Sequence, residues 1–248
     1  MEINRMGLVG IAASVLSVLA MFGQADVGSN VRDAVRPESD TGRDAARKPA
    51  EVLHFLGLQE SAIVMDVMAS SGYYTEVLAH AVGSEGTVYA QNPPMMLKYR
   101  DGFYDKALAQ RLKGGRLANV VRLDRDMGDL GIPSESLDLA ITALNFHDIY
   151  NSAGEAAALE LLSQVYGLLK PGGVFGVIDH VGIPGADNNR LHRMDEAAMR
   201  GLVARSAFQL DGSGDLLRNP QDDHSEGVFA SDIRGNTDRF LFRLRKPK

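Results

Sequence analysis

Short apolar runs along this chain alternate with stretches whose apolar residues recur every three or four positions. Ala62 to Val67 is an apolar run rich in β-branched residues, and Ala69-Ser70-Ser71-Gly72 breaks it with four small residues. Tyr74, Val77, Leu78 and Ala81 then follow at i, i+3, i+4 and i+7. The pattern predicts strand, tight turn and amphipathic helix, the opening unit of a nucleotide-binding α/β domain. Such a helix aims free N–H groups and the positive end of its dipole into the turn. Asp66, at the strand's end, suits the polar end of a bound nucleoside. An ordinary β-α connection also carries small residues, so this stretch alone leaves both readings open.

The alternation continues. Thr87–Ala90, Asn119–Leu123, Leu137–Leu144 and Val174–Ile178 read as strands. Gly154 to Leu169 reads as a helix with Ala158, Leu161, Leu162, Val165 and Leu169 on one stripe, stopped by Lys170-Pro171-Gly172-Gly173. Upstream, Pro49 opens a helix that Val52, Leu53, Phe55 and Leu56 pack down and Gly57 ends. Downstream, a helix from about Leu191 to Ser206 precedes two strands, Phe208–Leu210 and Arg239–Leu244, pairing as an antiparallel hairpin around the polar insert Asn219–Asn236. Apolar strands separated by helices indicate an α/β fold with a parallel sheet covered on both faces. Ligands of such sheets collect at the C-terminal strand ends. That rule gathers Asp66, Asn92, Asp124 to Asp126, Asn145 to Asp148, and Asp179-His180.

Composition narrows the picture. The chain has 248 residues and is 45% hydrophobic, enough for one large domain with a sizeable core. A net charge of −6 excludes a nucleic-acid partner held by charge. The absence of cysteine excludes disulfides, thiolate metal sites and a Cys nucleophile. Arg5, the apolar run Met6 to Phe22 and the small residues of Gly23-Gln24-Ala25 read as a secretory signal peptide, residues 1–25, sending the chain to the periplasm. Left uncleaved, that run becomes an anchor, the one membrane contact expected. Residues 26–37 read as a flexible lead-in and residues 38–248 as a single domain. Arg43, Asp44, Arg47 and Lys48 read as a solvated face, with the mouth of a cleft as the alternative.

Two histidines stand at strand ends, His147 and His180. Either can take a proton near neutral pH, with Asp148 or Asp179 beside it to orient the ring. Tyr73 and Tyr74 open the first helix, where one ring can close over a ligand. The structural alternatives are a core Tyr74 and a His147 that caps a strand end. A metal is the rival explanation, because His147, Asp148, Asp179, His180 and His192 are nitrogen and oxygen ligands suited to Mg²⁺, Mn²⁺ or Fe²⁺. Their spacing lacks the i, i+4 signature of a helical zinc site. Asp222-Asp223-His224 reads as a surface loop. Arg193 with Asp195, and Asp238 with Arg239, read as structural ion pairs.

"LLSQVYGLLKPGGVFGVID" and "IPSESLDLAITAL" resemble the helix, turn and central strands of the class I S-adenosylmethionine-dependent methyltransferases. "GYYTEVLA", "NFHD", "KPGGVFGVIDH", "LHRMDE", "LLRNPQDDH" and "IRGNTDRF" are similar to a family of exported bacterial proteins described only as predicted methyltransferases. The resemblance implies a Rossmann-like, mostly parallel seven-stranded sheet with an antiparallel last strand. It implies S-adenosylmethionine as cofactor and methyl transfer to a small-molecule acceptor. It places Asp66, Met68, Ser70, Gly72 and Asn92 at cofactor positions; the strand ends and the helix start add Tyr73, Asp126 and Asn145 to that side, and side-chain chemistry puts His147, Asp148, Asp179 and His180 in catalysis.

Two departures follow from the same comparison. The family's cofactor loop carries three alternate glycines, where this chain has Met68, Ser70 and Gly72. Side chains there weaken the cofactor expectation, and Met68 intrudes on the cofactor's amino-acid end unless it points away. The family's ribose-binding acid after the second strand is replaced by Gln91-Asn92, which can hydrogen-bond only without charge assistance. Export adds a conflict, since S-adenosylmethionine is made in the cytoplasm. The sequence therefore leaves open an exported, non-catalytic small-molecule-binding protein on the same scaffold, and a metal-dependent enzyme using His147 and His180.

Overall fold

In the computed structural model, which describes residues 27–248, a single mixed sheet carries the domain. The strands are β1 (Ile63–Val67), β2 (Thr87–Gln91), β3 (Val120–Leu123), β4 (Leu137–Ala143), β5 (Leu169–Gly182), β6 (Met194–Asp195), β7 (Gln209–Gly214) and β8 (Arg239–Arg245). The helices are α1 (Val27–Asp33), α2 (Glu38–Thr41), α3 (Asp44–Arg47), α4 (Pro49–Leu56), α5 (Tyr73–Val82), α6 (Pro94–Leu112), α7 (Phe146–Leu168), α8 (Asn188–Leu191) and α9 (Glu196–Arg205). The main strand order is β3-β2-β1-β4-β5-β8-β7, with the short β6 paired to the far end of β5. Strands β1 to β5 run parallel, and β8 lies antiparallel to both β5 and β7. This is the sheet that the resemblance implies.

Alternation along the strands splits the core into two layers. Val64, Leu139, Ile141, Val174 and Ile178 face one side, packed with α4 and α5. Met65, Val67, Ala140, Phe175 and Val177 face the other, packed with α7 and α9. Pro49 opens α4 and Gly57 closes it in a left-handed cap, as the sequence predicts. Both faces of β1, β4 and the middle of β5 are dry, which is why their sequences read as apolar runs, while the edge strand β3 leaves Val121 exposed.

Several elements differ from the sequence reading. Residues within the expected flexible lead-in form α1, which packs on α4 and α5 and buries Val31. The long helix starts at Phe146, so Asn145 to Asp148 open a helix, and Gly154 (φ +84°) breaks it at the expected start. Strand β5 runs on past Ile178, so Asp179 and His180 lie within it rather than at its end. It also begins at Leu169, absorbing Lys170 to Gly173 as an irregular stretch between the pairs Leu137–Leu169 and Leu139–Val174. The single helix expected over 191–206 is α8, β6 and α9, interrupted where His192 takes a left-handed backbone (φ +53°). The signal-peptide reading of residues 1–25 falls outside the described residues, among which no helix is long and apolar enough to cross a membrane.

Helix α4 approaches β5 at Gly176. A Cβ there would lie 2.5 Å from Leu56 Cδ1, and Leu56 is fully buried. Gly176→Ala is expected to destabilise the fold by about 1–3 kcal/mol through overpacking, measured by urea denaturation.

Candidate functional site

The loop from Met68 to Gly72 joins β1 to α5 at the C-terminal edge of the sheet. Met68 (φ +54°), Ser70 (φ +53°) and Gly72 (φ +83°) all adopt left-handed backbone. These are the three alternate positions that the resemblance marks for glycine, so the glycine-type conformation persists with side chains attached. The loop's polar groups are held from outside. Met68 N–H donates to Gln91 Oε1 at 3.0 Å, Ser70 N–H to Asn92 Oδ1 at 2.8 Å, and Ala69 N–H to the Gln91 carbonyl at 2.8 Å. Asn145 Nδ2 donates to the Met68 carbonyl at 3.0 Å, and Arg111 Nε to the Ser71 carbonyl at 2.8 Å. Gly72 is further fixed by crowding, because a Cβ would meet Leu108 Cδ1 at 2.8 Å.

A cavity of about 680 Å³ opens above this loop. Asp66, Met68, Ser70, Tyr73, Asn145, His147, Asp148 and His180 line it. Asp66 is buried and accepts the Thr75 hydroxyl at 2.7 Å and the Thr75 backbone N–H, so it caps α5 from beneath. Burial pushes its pKa up to about 7, against the hydrogen bonds from Thr75 and the pull of Arg111 and Arg47. Met68 is buried in the core layer beneath α7 and meets the cavity at its wall.

Other assigned residues sit differently. Asn92 is fully buried and spends both ends of its amide on Ser70, donating to the Ser70 carbonyl at 3.3 Å. It therefore clamps the loop instead of facing a ribose, as does Gln91, whose Nε2 donates to the Arg125 carbonyl at 2.8 Å. Asp126 is exposed and lies outside the cavity lining. Tyr73 is pinned by its hydroxyl, which donates to Asp44 Oδ1 at 2.6 Å.

The opposite wall carries the histidines. Asp179, fully buried in β5, receives the His147 N–H at 2.7 Å and the His180 N–H at 2.8 Å, and its Oδ1 lies 2.7 Å from His147 Nδ1. His147 Nε2 is directed at Asp148 Oδ1, 3.2 Å away. Burial disfavours the His147 charge, but Asp179 and Asp148 outweigh it and push the pKa up to about 10. His180 goes the other way, held well below the usual range by burial and then by Arg239, with Nδ1 on Thr237 Oγ1 at 2.6 Å. His192 completes the wall, its Nδ1 3.2 Å from the same Asp148 oxygen. The sequence reading offered His147, Asp148, Asp179, His180 and His192 as metal ligands, with the His147 and His180 nitrogens expected to converge. The cluster that converges here is His147, Asp148 and His192, without His180 or Asp179.

Further residues line the cavity or brace it. Arg43 and Arg47, read as a solvated face with the mouth of a cleft as the alternative, stack on the Tyr73 ring at 4.7 Å and 4.4 Å and line the cavity, as the alternative has it. Burial lowers the pKa of Arg47, with Arg43 adding to the effect. Met95, Tyr99 and Phe229 are exposed apolar groups at the mouth. The Asn219–Asn236 insert is tied down by Asp222, which is buried and accepts Arg193 at 2.8 Å and 2.9 Å. Arg193 thus pairs with Asp222 rather than Asp195. Asp238 accepts His224 Nε2 at 3.0 Å and faces Arg218, while Arg239 donates to Thr237, Ala46 and Gly235.

No family model and no curated protein matches this sequence. Solved structures share its fold. A SAM-dependent methyltransferase from Aquifex aeolicus superposes with a TM-score of 0.60 at 18% identity, over 88% of this chain and 98% of the other. A TehB-like SAM-dependent methyltransferase from Corynebacterium glutamicum gives 0.52 at 14% identity, over 81% and 87%. The cyclase SpnF gives 0.59 at 14% identity, over 82% and 81%. At such identities the likeness establishes the fold, that of the class I methyltransferases.

Asp66 has a measurable signature. A free aspartate loses its proton near pH 4, whereas Asp66 in the folded protein holds it to about pH 7. The folded state therefore binds more protons across this window. The stability that Asp66 contributes is complete below about pH 4 and is lost as pH rises through about 7. Relative to Asp66→Asn, the native protein is expected to lose stability over that range, by at most about 1.4 kcal/mol per pH unit. Urea denaturation of both proteins from pH 4.5 to 8 measures it.

Proposed function

We propose that this protein transfers a methyl group from S-adenosylmethionine to a small-molecule acceptor. The observation that carries the reading is the left-handed backbone kept at Met68, Ser70 and Gly72 beneath a cavity of about 680 Å³. That volume lies within the usual range for small-molecule sites, about 300–1,000 Å³. The donor set also suits an amino-acid group. Arg47 lines the cavity near Asp66 and supplies a cation for a carboxylate, while the Asp66 carboxyl lies at the floor and gains charge when an ammonium approaches.

When bound, S-adenosylmethionine supplies a methyl carbon made electrophilic by its sulfonium. The chain's own contribution is alignment, which is the larger part of catalysis for an in-line displacement. The clamp formed by Gln91, Asn92 and Asn145 holds the loop in one conformation. Asp179 fixes the His147 ring from Nδ1, so that Nε2 is presented towards Asp148 and the cavity, where it can orient an acceptor hydroxyl or amine. Tyr73 is locked under Arg43 and Arg47 and walls the cavity on the other side. The exposed Met95, Tyr99 and Phe229 favour an acceptor with an apolar or aromatic body.

A second reading, an exported binding protein without transfer, draws support from Gln91 and Asn92. They put amides where a carboxylate would meet ribose hydroxyls, and both amides are spent on the loop and on Arg125. Export itself follows only from the reading of residues 1–25.

Calorimetric titration with S-adenosylmethionine and S-adenosylhomocysteine tests the first reading. Micromolar binding is expected, weakened about tenfold or more in Arg47→Ala, the loss of one charge-assisted contact. No binding of either compound up to millimolar concentration would sink the methyltransferase reading and favour the second.

A further inference from the structure

We infer that His147, Asp148 and His192 form a binding site for a divalent transition-metal cation of the zinc type. The inference does not rest on methyl transfer. His147 Nε2 and His192 Nδ1 each lie 3.2 Å from Asp148 Oδ1, and one donor atom from each residue falls within 4.8 Å of the others. A cation about 2.0–2.1 Å from each donor in tetrahedral geometry separates the donors by about 3.3 Å. Two of the three separations are therefore near ligand spacing already, and the third closes by movement of the half-exposed His192 ring.

The surroundings match a metal site in a second respect. A ligating histidine usually gives its other ring nitrogen to a carboxylate, which fixes the tautomer and the orientation of the ring. Asp179 does this for His147 at 2.7 Å while fully buried, with two backbone N–H groups holding the carboxylate in turn. His192 is set in place independently. Its left-handed backbone ends α8, and the next residue is Arg193, locked in the buried pair with Asp222. Ligands supported on separate rigid elements are the arrangement that pre-organised metal sites need.

Two imidazoles and one carboxylate favour Zn²⁺, Co²⁺ or Fe²⁺ over the oxygen-seeking Mg²⁺ and Ca²⁺. Three protein ligands leave a coordination position open, and all three residues line the cavity. The open position thus faces the space where a small molecule would sit, and it suits an acceptor bearing an oxygen or nitrogen lone pair.

The test is calorimetric titration of the chelator-stripped full chain with Zn²⁺, alongside the visible spectrum of the Co²⁺ form. One equivalent is expected to bind, with an absorption band from Co²⁺ of low coordination number. Asp148→Asn and His192→Ala change solvent-accessible side chains, so both variants keep the fold by circular dichroism. Each is expected to weaken Zn²⁺ binding about tenfold or more and to abolish the Co²⁺ band. Asp179→Asn, acting through the His147 ring, is expected to weaken it by about tenfold to a hundredfold. The inference is overturned if Zn²⁺ does not bind, or if the Asp148 and His192 variants bind it as tightly as the native chain.

Discussion

Three left-handed residues within five, at Met68, Ser70 and Gly72, are the constraint on which the candidate site depends. A side chain in that conformation costs about 1–2 kcal/mol relative to the right-handed one, and two of the three positions bear one. Such backbone persists only where its surroundings over-determine it. Here the surroundings are side-chain amides and one guanidinium. Gln91 and Asn92 grip the loop from the end of β2, Asn145 from the end of β4, and Arg111 from α6. Arg111 is itself held by Asp40 at 2.6 Å and by Glu76 in α5, so the loop, α2, α5 and α6 share one network. The cavity floor is thus set by four side chains reaching from three elements, while the apolar layers on either side of the sheet fix where those elements stand.

Much of this frame could be read from the sequence. The strands flanking the site were legible because each is buried on both faces and its apolar residues are contiguous. Helix α4 was legible from Pro49 at one end and Gly57 at the other. What escaped reading shares one physical cause: it depends on partners far away in the chain. Asn92 at the end of a second strand suggests a ribose contact, yet its amide goes to Ser70, 22 residues earlier. Arg47 sits among charged residues that look solvated, yet α3 folds it over Tyr73. His192 lies in a stretch that reads as helix, and only its left-handed backbone turns it towards Asp148. No periodicity announces such contacts, because each is decided by tertiary position.

The two walls of the cavity are electrically opposed. Arg43 and Arg47 approach from the N-terminal helices, stacked on Tyr73, with Arg239 behind them held down to a pKa of about 10 by burial and then by Arg47. Asp148 and Asp179 stand on the β4–β5 side with the histidines between them. A ligand carrying an anionic group at one end and a cationic or metal-bound centre at the other is oriented by this field before any contact is complete. The arrangement also explains the two histidines. His147 lies between two carboxylates that favour its charged form until a cation displaces the Nε2 proton, whereas His180, one strand position beyond Asp179, sees Arg239 and burial and gives its proton up.

The insert between β7 and β8 belongs to this logic more than to the surface. Asp222 binds Arg193 in a fully buried pair and also receives the Asp238 N–H at 2.7 Å. Breaking a buried pair of this kind costs about 3–5 kcal/mol because the remaining charge is stranded. The insert is therefore tied to the residue next to His192, and its Phe229 ring rests against His192 at 5.1 Å. Whatever binds at the rim is read jointly by α7, by the α8–β6 corner and by this insert. The segment that looked most like a polar surface loop is the one that couples the rim to the edge of the sheet.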